Sequence, residues 1–222
     1  MAFDLKLMVA DKIQEMTESA TIRMAQKARE LASKGVNVIS LSLGEPDFDT
    51  PEHIKEAAID GLHKGMTKYT PVSGTMELKN AIIRKMKRDS QLEYQPNQIV
   101  ISNGAKQSIF NLCTAIIDPG DEVVVFAPYW VSYYEIIKFC YGSPVIVSAG
   151  IEKDFKVSAE QVAAAITDKT RMVIFSSPCN PTGSVFTKEE LTAIAEVIKK
   201  HDNIVVVSDE IYEYINFQGH HA

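Results

Sequence analysis

The feature that most constrains this chain is a rhythm that begins at Gln98. Short runs rich in Val and Ile occupy 99–102, 123–127, 144–148, 172–176 and 204–208. Most are continuously apolar rather than alternating, which predicts strands covered on both faces. Helical patterns separate several of them. Ser158 with Gln161 and Thr187 with Glu190 each match a capping box ahead of an apolar run, the second continuing as Leu191, Ile194, Ala195 and Ile198. Strand–helix–strand alternation implies an α/β fold: a mostly parallel sheet with helices on both faces and right-handed crossovers, a three-layer α/β/α arrangement.

Before Gln98 the pattern is less regular. A polar helix is expected over 21–33 and a short strand over 36–43. The segment 43–51 reads as a loop, with Thr50 as N-cap and Pro51 at the first helical position of the next helix. That helix carries the stripe Ile54, Ala57, Ala58 and Leu62, and a further one carries Leu78, Ile82 and Met86; Tyr69 to Gly74 between them reads as a turn.

Composition excludes several classes. Of 222 residues, 45% are hydrophobic and 23% charged, with 11 Gly and 9 Pro, so the chain is neither disordered nor collagenous. Lys and Arg number 23 against 29 Asp and Glu, a formal charge of −6 that gives no footprint for nucleic acid. Cys113, Cys140 and Cys179 are odd in number and lack a C-x-x-C spacing, so neither a disulfide scaffold nor a zinc knuckle is indicated. No apolar run approaches the ~18 residues of a membrane span, and the first ten residues lack a signal-peptide core. A soluble, cytoplasmic protein is the expectation.

Polar and aromatic residues gather where the apolar runs end. The clusters are Ser102-Asn103-Gly104-Ala105-Lys106, Pro128-Tyr129-Trp130, Pro178-Cys179-Asn180-Pro181-Thr182-Gly183 and Ser208-Asp209-Glu210-Ile211-Tyr212. In open α/β sheets ligands bind outside the carboxyl ends of the strands, so four clusters on one rim would describe a site for a ligand with several chemical faces. Each has a plainer reading. Gly104 to Lys106 opens a helix whose positive end could seat a phosphate, or is a tight strand-to-helix turn. Trp130 could stack on a flat heteroaromatic ligand or fill core. Asn180-Pro181 could be a cis bond aiming the Asn180 amide at the site, or an ordinary turn. Asp209, at the end of a buried strand, needs a partner: a helix N-terminus, a backbone group or a ligand cation.

Other signatures fail. An apolar run ending in Asp-Glu resembles a Walker B strand, but no Gly-Lys dipeptide exists for a Walker A loop, and no two glycines stand two positions apart as a dinucleotide fingerprint requires. H-E-x-x-H and G-x-S-x-G are absent. His53, His63, His201, His220 and His221 have no metal-ligand spacing.

Taken together and in order, six clusters resemble a class I pyridoxal-phosphate (PLP) aminotransferase, in the branch of the bacterial aspartate aminotransferases: residues 42–51 (Ser-Leu-Gly-Glu-Pro-Asp-Phe-Asp-Thr-Pro), Tyr69 with Gly74, 102–107, 128–130, 180–183 and 208–212. The resemblance implies 1–48 as an N-terminal arm and the start of a smaller domain, and 49–222 as the large cofactor-binding domain, incomplete at its C-terminal end. It implies that Gly104, Ala105 and Lys106 seat the cofactor phosphate, that Trp130 stacks on the pyridine ring, and that Asn180 and Tyr212 bond its phenolic oxygen. It implies that Asp209 pairs with the pyridine nitrogen. Two unit charges ~4 Å apart at an effective dielectric near 20 interact by about 4 kcal/mol before desolvation, roughly three pKa units, enough to keep that nitrogen protonated.

Gly44 resembles the glycine that approaches the substrate α-carboxylate, with Trp130 and Asn180 also beside the substrate. Ser19, Thr21 and Lys106 fall where the aspartate-using branch reads the distal carboxylate, although Ser19 and Thr21 also suit N-capping. Tyr69 resembles the tyrosine that reaches the phosphate in the neighbouring subunit, implying a homodimer with shared sites.

The family's Schiff-base lysine has no counterpart here, since no lysine follows Lys200. The expectation is the front portion of a longer transaminase that moves an amino group from an amino acid, aspartate or glutamate, to a 2-oxo acid. The 222 residues alone would be inactive. The rivals are a carbon–sulfur lyase on the same scaffold, a non-catalytic module binding PLP or an amino acid, and a phosphate-binding α/β protein without pyridoxal chemistry.

Overall fold

A computed structural model describes residues 8–14, 16, 20–41, 44–215 and 217, with the side chains of Ala20 and Thr21 excepted. The chain divides into two compact units, Met1–Thr17 with Asn103–Ala222, and Glu18–Ser102. The first contains the short helix α1 (Asp11–Gln14). The second contains α2 (Ala20–Ser33), α3 (Glu52–His63) and α4 (Met76–Ser90). Returning to the first, α5 (Ala105–Ile116), β1 (Glu122–Ala127), α6 (Ser132–Phe139), β2 (Ser143–Ser148), α7 (Ala159–Ala165), β3 (Thr170–Ser176), α8 (Lys188–Ile198) and β4 (Val205–Asp209) follow in order.

The four strands form one parallel sheet in the order β2-β1-β3-β4. Its layers follow from the alternation of side chains along a strand. Val123 and Val125 of β1, with Met172 and Ile174 of β3, point to one face and pack with Ile109 and Cys113 of α5 and Tyr133 and Ile137 of α6. Val124 and Phe126, with Val173 and Phe175, point to the other and pack with Val162 of α7 and Ile194 of α8. Helices therefore cover both faces of β1 and β3, giving the three-layer α/β/α fold expected from the apolar runs. Both capping boxes form: Ser158 accepts from the Gln161 N–H and Thr187 from the Glu190 N–H, and each partner side chain accepts the N-cap N–H in return.

The unit Glu18–Ser102 departs from expectation in three places. Residues 36–41 form no strand, and Ser42 and Leu43 lie outside the described residues. Residues 99–102 form no strand either. Ile101 N–H makes a single backbone bond to Ser73 O (3.1 Å), where a strand needs a ladder. Thr50 does not cap α3: the N-cap is Pro51, whose carbonyl accepts from Ile54 and Lys55, and no side chain caps that end.

Helix α4 is capped by Thr75. The turn before it is pinned by Lys79, which is buried and donates to Ser73 Oγ (2.7 Å) and Pro96 O (3.1 Å). Gly74 in that turn has φ 101°, and a Cβ there would overlap the Ile101 side chain, so this position requires glycine.

Candidate active site at the carboxyl rim of the sheet

Strand β1 leads outward to β2 on one side, and the chain then returns to β3 on the other side of β1. The sheet's topological switch point thus lies between β1 and β3, where open α/β folds hold ligands. The segments that leave these two strands are Pro128-Tyr129-Trp130 and 177–183, and Cys179 Sγ donates to Pro128 O (3.3 Å) across the gap between them. Three of the four predicted clusters therefore sit on one rim. The fourth, 102–106, follows no strand; its residues from Asn103 on enter the same unit through α5.

Four groups with distinct chemistry meet in this unit. Gly104 is the N-cap of α5, and its φ of 84° is costly for any residue with a Cβ. The first N–H groups of a helix have no intrahelical acceptor, so this end offers donors and a positive partial charge to an anion. Lys106 in its first turn is exposed and places Nζ 4.9 Å from the centre of the Trp130 ring. Trp130 is partly buried, and Tyr133 meets it edge-on at 5.6 Å and 88°.

On the far side of β3, Asn180 Nδ2 donates to Tyr212 Oη at 3.0 Å, bringing together two predicted site residues 32 positions apart. The Asn180–Pro181 bond is cis, as are Ala127–Pro128 and Ser177–Pro178.

Asp209 ends β4 and is half-buried. Its Oδ2 accepts from Tyr133 Oη (2.6 Å) and its Oδ1 from the Ile211 N–H (3.2 Å). The sequence reading missed Tyr133. Its spacing of three from Trp130 at the start of a helix was the available signal, but that spacing is shared with any core aromatic. Burial pushes the Tyr133 phenol well above its ordinary range, and the hydrogen bond and negative charge of Asp209 push it further. It stays a neutral donor. An open groove of about 350 Å³ runs beside this carboxylate, with Ala105 and Ser108 of α5 on one wall and Val207, Asp209 and Glu213 on the other.

Gly44 and Tyr69 belong to the other unit. Gly44 is exposed with open space around its Cα, and Tyr69 is fully exposed. Ser19 lies outside the described residues, as does the side chain of Thr21. Among the described residues no cluster of three His, Cys, Asp or Glu could hold a metal ion, and no helix is long and apolar enough to cross a membrane.

A helix N-terminus, an aromatic face, a hydrogen-bonded amide–phenol pair and an oriented carboxylate are groups that could hold a planar, phosphorylated heteroaromatic ligand. The family model described as aminotransferase class I and II matches residues 36–222. The chain is 49% identical over 211 residues to an aspartate/prephenate aminotransferase of Nitrosomonas europaea, covering 95% of this chain and 53% of that protein. It is 48% identical over 215 residues to an aspartate aminotransferase of Bacillus sp. strain YM-2, covering 97% and 55%. The solved structure of the Thermus thermophilus aspartate aminotransferase with maleate superposes with a TM-score of 0.92 at 46% identity, covering 96% of this chain and 56% of that one. The chain thus spans about half the length of the relatives it matches. On the family match and these identities, it belongs to the class I and II aminotransferases.

Proposed function

We propose that this chain carries the greater part of the cofactor cradle of a PLP-dependent transaminase that moves an amino group between an amino acid and a 2-oxo acid. The observation that carries the reading is the Asp209 carboxylate, held by two donors at the end of a parallel strand and in one unit with Trp130 and the Asn180–Tyr212 pair.

Asp209 is the residue that would keep the ring nitrogen protonated. Asn180 and Tyr212 would hold the phenolic oxygen, Trp130 would cover one ring face, and Gly104, Ala105 and Lys106 would seat the phosphate. When bound, PLP supplies an electron sink for the bond broken at the substrate Cα. The protein's part is to orient that group and hold the proton on its ring nitrogen.

Aspartate or glutamate is the proposed donor. The name of the Nitrosomonas relative and the dicarboxylate maleate in the Thermus structure support this, and Gly44 with Trp130 and Asn180 would meet the substrate. Tyr69 would reach the phosphate held by a second copy, making a cytoplasmic homodimer with shared sites. Residues 1–48 are read as an arm and the start of a smaller domain, and 49–222 as the large domain; the two contact units of this chain cut across that division.

The test uses the full-length protein. Addition of PLP should produce a visible absorption band, and aspartate with 2-oxoglutarate should yield oxaloacetate and glutamate in equal amounts. Keto acid without an acceptor would indicate a lyase, and no band at all would end the proposal.

A further inference from the structure

Asp209 is the last residue of β4, which pairs in parallel with β3 from Val205 to Asp209. Its register partner on β3 is Ser176, whose buried Oγ makes no hydrogen bond to Asp209. The side chain that reaches Asp209 is Tyr133, 76 residues away in α6.

Tyr133 is 1% exposed and packs in the cluster formed by β1, β3, α5 and α6. Its ring is held edge-on by Trp130, and its N–H bonds the Trp130 carbonyl at 3.0 Å. A phenylalanine would satisfy that packing equally well. What the hydroxyl adds is a donor to Asp209. The bond couples the rigid core to one carboxylate oxygen while Ile211 N–H takes the other, which fixes the carboxylate plane and leaves a lone pair on each oxygen for a further donor.

We infer that Tyr133 is a positioning residue: it presets the orientation of the Asp209 carboxylate, so that the cofactor's ring nitrogen meets it without rearrangement. This holds only if Asp209 meets that nitrogen, as proposed above. Because the Tyr133 phenol keeps its proton far above neutral pH, the donor is present throughout the working range.

The experiment measures the dissociation constant of PLP for the full-length protein and three variants, Tyr133→Phe, Asp209→Ala and the double variant. Loss of one hydrogen bond to a charged group should weaken binding roughly tenfold in Tyr133→Phe. Asp209→Ala should weaken it further, and the double variant should bind like Asp209→Ala, because a residue acting through Asp209 has nothing left to act on. Ile136→Val, in the same helix and core cluster, is the packing control: it should lower the melting temperature and leave the dissociation constant unchanged.

Wild-type affinity in Tyr133→Phe beside weakened Asp209→Ala would overturn the role of Tyr133 and leave that of Asp209 standing. Additive losses in the double variant would also overturn it, since Tyr133 would then act independently. Unchanged affinity in Asp209→Ala would remove the reading of Asp209 itself.

Discussion

The two units of this chain carry similar amphipathic patterns and bury them very differently. Among the described residues from Asn103 onward, twenty-one hydrophobic side chains are buried, and Val123, Val125, Met172 and Ile174 are fully enclosed. Among the described residues of Glu18–Ser102, the one buried side chain is Lys79, held by a hydroxyl and a carbonyl. The stripe of α3 is there at helical spacing, yet Ile54 is 49% and Leu62 64% exposed. A stripe specifies a helix; it does not supply the surface that covers it. Burial, and with it most of the hydrophobic stabilisation, comes from the layered sheet.

The largest expected effect follows directly. In native-state hydrogen exchange of this chain, amides of β1 and β3 should exchange only through global opening, while those of α3 exchange by local opening at small free-energy cost. Equal protection in both would break the contrast. Side-chain truncation sharpens it within the sheet: Ile174→Ala in β3 should cost about 2–5 kcal/mol in urea unfolding, and Val206→Ala in β4, half-exposed, under about 1.5 kcal/mol.

The pH response should belong to the buried unit. Burial pushes the Cys113 thiol up from 9.0 to about 12, so the group is neutral in the fold and ionises more readily when unfolded. Its folded value being raised, its contribution is complete below about pH 9 and is lost as pH climbs toward 12. Urea midpoints should fall across that window, and Cys113→Ala should flatten the fall; an unchanged slope would remove Cys113 from the account. The smallest effect concerns caps. Thr187→Ala should cost about 1 kcal/mol, because its side chain caps α8, whereas Thr50→Ala should cost little, because α3 has no side-chain cap.

The same contrast decides what was legible in the sequence. Strands β1 to β4 were readable from their Val and Ile runs, but the two-sided burial those runs predict is met only in β1 and β3, since β2 has one buried residue and β4 none; both capping boxes were readable because their partners lie three residues apart. The runs at 36–41 and 99–102 are also rich in apolar residues, but among the described residues neither has a neighbouring strand to pair with. Gly104 opening a helix and Asp209 ending a strand were likewise foreseeable from local chemistry, whereas the placing of Asn180 with Tyr212, 32 positions apart, came only from the family resemblance. Tyr133 was not, since its meaning depends on a carboxylate 76 residues away that only the crossover brings near.

The proposed role of Asp209 is to hold a proton on a ring nitrogen. Nitrogen NMR of full-length protein loaded with PLP labelled with ¹⁵N in the ring reads that proton directly. The account predicts a protonated nitrogen at neutral pH in the wild type and its loss in Asp209→Ala. An unprotonated nitrogen in the wild type, or one indifferent to the substitution, would contradict it.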